Sequence, residues 1–137
     1  MISRSVNWEA NLSTYLVEHE NALFAWGKCD CALFAAGAVI AMTGVDVAAA
    51  YRGRYSTAIG SARALARFGQ GTLEATFSAV FEPRPIGFAR RGDIVMYQGA
   101  IGICIGAHAV FLRREEDGPG LERIERHLWT HAWSVGE

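Results

Sequence analysis

The 137-residue chain carries 13 Lys plus Arg against 14 Asp plus Glu, a net charge of −1 at pH 7, and 51% of its residues are apolar. That profile suits one globular domain, excludes a disordered chain, and gives no reason to expect nucleic acid as a partner. No apolar run reaches the ~20 residues of a membrane-spanning helix, and the N-terminus lacks the order of a secretion signal.

Asn7 is placed to cap a first helix. Trp8, Leu12, Tyr15, Leu16 and His19 follow at three- and four-residue spacing, one face of an amphipathic helix that His19 ends. Residues 24–27 read as a loop. Asp30 is a natural N-cap and Gly44 a natural left-handed stop, so Cys31–Thr43 is predicted as the central helix. That segment is apolar almost all round, which predicts burial on every side. Cys31 falls at its first position, where free amides and the macrodipole favour an anion. A thiol there is expected to ionise more easily than a free one, although cysteines at helix ends are also simply packed.

Residues 45–55 form a connection whose Arg52-Gly53-Arg54 centre should be exposed. Ser56 is placed to cap a third helix through Ile59, Ala62, Leu65 and Ala66 to Gly69, and Thr72 a short fourth through Phe77 and Val80. From Pro83 and Pro85 onward the pattern becomes strand-like. Segments 94–97, 101–105 and 109–112 read as successive strands, with 121–125 and 130–135 as weaker candidates. Turns are expected at 91–93, 98–99, 106–108 and 117–120. Helices first and a meander second predict an α+β domain. Residues 1–137 form one unit, with a helical half (1–82) and a β half (86–137).

Two blocks together resemble a known family. F-A-W-G-K-C-D-C-A-L-F at 24–34 is similar to the aromatic-x-W-G…D-C-S-G signature of NlpC-type cell-wall peptidases, which have a papain-like fold. R-G-D-I-V-M-Y at 91–97, followed by A-I-G-I-C-I-G at 100–106, is similar to that family's G-D-[LV]-[VI]-F-F…H-V-G-I-Y block. The resemblance spans roughly residues 24–112, and within that family the chain resembles the short NlpC-like proteins encoded in the tail modules of phages and prophages.

The resemblance gives Cys31 the nucleophile's place. It also requires a histidine on the first hairpin strand, a polar residue on the next to orient it, and a tyrosine hydroxyl before the W-G. Ala100 stands at the histidine's position and Phe24 at the tyrosine's, while the next strand offers only Ala109, Val110, Phe111 and Leu112. The implied function is therefore a non-catalytic tail-tip or tail-assembly protein. Its implied partners are other tail-tip or hub proteins, with no cofactor and no metal. Its location is the virion tail tip, or the host cytoplasm during assembly.

Two alternatives stand beside it. An active cysteine hydrolase of peptidoglycan peptides would need a base from elsewhere, with His108, His127 and His131 as candidates; His108 is expected in a hairpin turn away from Ala100. A thiol-based metal module would need Cys104 near Cys29 and Cys31, on a sheet face covered by the central helix. Three cysteines suit a reducing cytoplasm better than a disulfide scaffold. An assembly role also predicts apolar surface, with Trp8, Trp129 and Trp133 as candidates.

Overall fold

The computed structural model describes residues 2–136. Helices α1 (Trp8–Glu18), α2 (Cys31–Thr43), α3 (Ala58–Phe68) and α4 (Leu73–Ser78) precede six strands: β1 (Glu82–Pro83), β2 (Ile94–Tyr97), β3 (Ala100–Cys104), β4 (His108–Leu112), β5 (Leu121–Glu125) and β6 (His131–Ser134). The strands form one antiparallel sheet in the order β1-β6-β2-β3-β4-β5. The fold is therefore α+β. No helix among the described residues is long and apolar enough to cross a membrane.

Helix α2 is the centre of the packing. The Asp30 side chain accepts from the Leu33 amide at its start, and Gly44 ends it at φ 79°. Leu12 of α1, Ala35, Val39 and Met42 of α2, and Ile101, Ile103, Val110 and Leu112 of the sheet share one buried cluster. On another side, Leu33 and Ala36 meet Ala48, Tyr51 and Ala64 from the following connection and α3. With α1, the sheet and the connection around it, α2 is buried on most sides, although Ile40 is 38% exposed, which is why its sequence shows no amphipathic stripe.

Period-2 alternation divides the sheet residues cleanly. Ile94, Met96, Ile101 and Ile103 face the helices, while Val95, Cys104, Ala109 and Phe111 face a second cluster with Ala89, Trp129 and Ala132. No helix covers that second face; a 3-10 turn at Ile86–Phe88 and the Trp129 ring pack against it instead.

Several local expectations are corrected. Asn7 precedes α1 but makes no side-chain cap bond. Thr57, not Ser56, caps α3 by accepting from Gly60. The residues that mark α3 in the sequence are mostly exposed, with Ile59 at 67%. Its buried residue is Ala64, because α3 meets α2 through small side chains. Helix α4 stops at Ser78, short of Val80. Arg52 is half-buried, its guanidinium paired with Asp46 at 3.0 Å. Trp129 and Trp133 are buried, and Trp8 is half-buried beneath Arg4 at 4.2 Å, so none supplies an exposed apolar patch.

Asp93 closes the fold. Its carboxylate has no exposure and accepts from Arg4 (2.9 Å), Arg84 (3.0 Å), the Arg90 amide (2.9 Å) and the Val135 amide (3.1 Å). Gly92 before it sits at φ 91°, and a Cβ there would lie 2.8 Å from both Arg4 and the Met42 sulfur. Asp93→Asn should lower the unfolding free energy by about 3–5 kcal/mol, since it strands buried guanidinium charge. Asp46→Asn, at a pair one-third exposed, should cost under about 1 kcal/mol. Denaturant titration reads both, and equal losses would contradict this account.

Candidate functional site

The loop before α2 is fixed by backbone geometry. Ala25 and Cys29 exchange two backbone bonds of 2.8 Å. Gly27 sits at φ 79°, and a Cβ on it would lie 1.8 Å from the Tyr55 carbonyl oxygen, so only glycine fits. Its amide donates to Asp30 Oδ2 at 3.0 Å, and its carbonyl accepts from Gly53 at 3.1 Å.

Asp30 is buried and takes three donors: Leu33 N on Oδ1 at 3.0 Å, and Gly27 N and the Tyr55 hydroxyl on Oδ2. Burial and then the bond to Asp30 push the Tyr55 phenol upward, so it keeps the proton that it donates. The aromatic loop, the helix start and the connection thus converge on one carboxylate, and Cys31 is the next residue.

Cys31 opens onto a cleft of about 470 Å³. Phe24 and Trp26, packed edge to face at 4.8 Å, form one wall. Ala58, Leu73, Ala100 and Leu112 complete the apolar lining, and Gln98, Arg114, Glu115 and Glu116 stand around it. The three positions named from the resemblance, Cys31, Ala100 and Phe24, therefore line one cavity. Ala100 also packs against the second sheet cluster.

The thiol is not activated. Burial pushes the Cys31 thiol up to about 11, and Asp30 adds to the rise against the lowering effect of the Ile101, Ala32 and Cys31 amides. This reverses the expectation of easier ionisation: burial, and after it the Asp30 carboxylate, outweigh the amides at the helix start. At pH 7 roughly one Cys31 in ten thousand would be a thiolate.

No histidine lines the cleft. His19 stacks on Tyr15 with ring centroids 4.0 Å apart. His108 is not in a turn but opens β4, where it pairs with Glu125 at the end of the strands away from Ala100. His127 lies 3.3 Å from Glu125, and His131 lies 3.3 Å from Glu74.

The thiols do not converge either. Cys104 faces the second cluster, away from α2, with its sulfur 3.6 Å from the Gly106 carbonyl and 3.7 Å from Arg126. Among the described residues, no group of three His, Cys, Asp or Glu side chains could hold a metal. The metal-module alternative fails on that placement.

Sequence reasoning missed Tyr55, Arg114, Glu115 and Glu116. Tyr55 sits in a connection without a motif, and the other three reach the cleft only because β4 ends beside the α2 N-terminus.

Alkylation by iodoacetamide should be slow at Cys31 at pH 7, about 100-fold below a thiol of ordinary pKa, and should rise about tenfold per pH unit toward 11. Peptide mapping by mass spectrometry reads the site, and a plateau below pH 9 would contradict it. The folded thiol holds its proton more tightly than the unfolded one. Its contribution to stability is therefore complete below the ordinary value of 9.0 and lost as pH rises toward about 11.

The family model described as "Domain of unknown function (DUF6950)" matches residues 3–135. No curated protein sequence matches the chain. Since the match covers nearly the whole domain, helices and sheet alike, the chain belongs to the DUF6950 family.

Proposed function

We propose that this protein is a non-catalytic member of the papain-like, NlpC-type group that serves as a tail-tip or tail-assembly component of a phage or prophage. The observation that carries the non-catalytic part is the Cys31 cleft, whose lining among the described residues includes no imidazole. The papain-like assignment is supported by Cys31 at the head of a buried helix packed on an antiparallel sheet, with the start of β3 beside it. The tail assignment rests on the sequence resemblance of the 24–34 and 91–106 blocks.

Acyl transfer needs a nucleophile, a base in contact with it, and donors for the developing oxyanion. A thiolate attacking an amide must see the departing nitrogen protonated, and neither Ala100 nor Leu112 carries a proton to give. The Ile101 amide remains beside the sulfur, but Phe24 offers no hydroxyl to accompany it.

Wild-type protein should not turn over peptidoglycan stem peptides in a chromatographic assay. Ala100→His alone should remain inactive, because Leu112 and Phe24 give the new ring no orienting partner and the oxyanion no hydroxyl. Deleting the gene from its phage should block tail completion, and Cys31→Ser should restore it. Cleavage by the wild-type chain that disappears in Cys31→Ser would overturn the proposal and restore the active hydrolase.

A further inference from the structure

Helix α3 turns an apolar stripe to solvent. At about 100° per residue, Ile59, Ala62 and Ala66 fall within about 60° of one another on the side opposite the buried Ala64. Ile59 is 67% exposed, and both alanines are exposed. Ile59, Ala62 and Ala66 belong to the run that marks this helix in the sequence, yet nothing in the described fold covers them.

The two flanks of the stripe carry opposite charge. Arg63 and Arg67 project on one side, both exposed. On the other side Ala58 and Ser61 line the Cys31 cleft together with Glu115 and Glu116. Those glutamates sit on a 3-10 turn at Glu115–Asp117, whose three residues are all acidic and exposed. Among the described residues, neither the two arginines nor the three acids make an ion pair. Acid, with the exposed Arg114 beside it, apolar ridge and base therefore follow one another around the exposed face of α3.

Such a face is complementary to itself under a two-fold rotation. We infer that the outward face of α3 is a self-association surface, on which a second copy of this chain docks ridge to ridge and sets its Glu115 and Glu116 against Arg63 and Arg67. The two-fold operation makes each ionic contact twice, and it closes the assembly as a dimer rather than an open filament. The stripe is narrow and the charges exposed, so the dimer is weak and salt-sensitive. The inference uses no part of the catalytic argument, and an active or inactive Cys31 leaves it untouched.

Sedimentation equilibrium tests it with the whole chain. In low salt, at protein concentrations on the order of 100 µM, the wild-type mass should rise from 14.9 kDa toward twice that value. It should return to the monomer at about 0.5 M salt, where exposed charges are screened. The variants Arg63→Glu/Arg67→Glu and Glu115→Arg/Glu116→Arg should each stay monomeric with unchanged circular dichroism. Mixed in equal amounts, they should form a heterodimer, because all of the ionic contacts are then restored with reversed sign. Ala66→Lys should weaken association without touching either ionic cluster. A wild-type chain that stays monomeric under these conditions would overturn the inference and leave the face to a different protein. So would self-association that the charge reversals do not change, or reversed variants that remain monomers when mixed.

Discussion

The carboxylate of Asp93 is the constraint on which the fold closes. It brings an N-terminal arginine, Arg84, the Arg90 amide and the amide of Val135 to one point without solvent. Arg4 uses the rest of its fork on the Val135 and Arg91 carbonyls, so both chain ends are held against the start of β2. A buried ion pair is weak evidence of net stability, because desolvation offsets much of the attraction. What Asp93 supplies is a unique arrangement: four donors with fixed directions admit one register of the 2–5 segment, β1, β2 and β6. An apolar residue of similar size could fill the space but would leave Arg4 without a counter-charge.

Asp30 plays the same part at the other end of α2, and there it sets a chemical limit. An N-terminal carboxylate and an N-terminal thiolate compete for the same amides and the same dipole. In this protein the carboxylate has taken the Leu33 amide, with Gly27 and Tyr55 as further donors, while the Cys31 and Ala32 amides remain to the sulfur. Cys31 is left half-buried beside a negative charge, and both circumstances favour the neutral thiol. The residue that positions Cys31 at the cleft therefore also adds to the effect of burial against its ionisation.

Helix α2, its cap and its stop were legible in the sequence because each depends on neighbours within a few residues. So were β2 and β5 to the residue, and the division of the chain into a helical and a β half. Three features were not. The exposure of Ile59 depends on α3 meeting α2 through Ala64, which no local pattern reveals. The burial of Trp129 depends on the second sheet face being covered by irregular chain, and that of Trp133 on its contact with α4 on the other face. The raised pKa of Cys31 depends on burial that helix-terminus reasoning alone does not contain. In each case a long-range contact overrode a local preference.

The motif residues that carry the family resemblance divide along the same line. Gly27 is required by the Tyr55 carbonyl, and Gly92 by Arg4 and Met42. Gly102 is required because a Cβ there would lie 2.6 Å from the Val110 oxygen and 2.7 Å from the Phe111 ring. Asp30 and Asp93 are buried and fully bonded. All five have structural work to do whether or not any peptide is cleaved. Ala100 and Phe24, at the positions that the resemblance would give to a base and a hydroxyl, line the cleft with Leu112 as apolar residues. A backbone that needs its glycines and buried acids keeps them through packing alone. A base or a hydroxyl has no such hold on its position, so a resemblance carried by the first kind of residue speaks for the fold and not for the reaction.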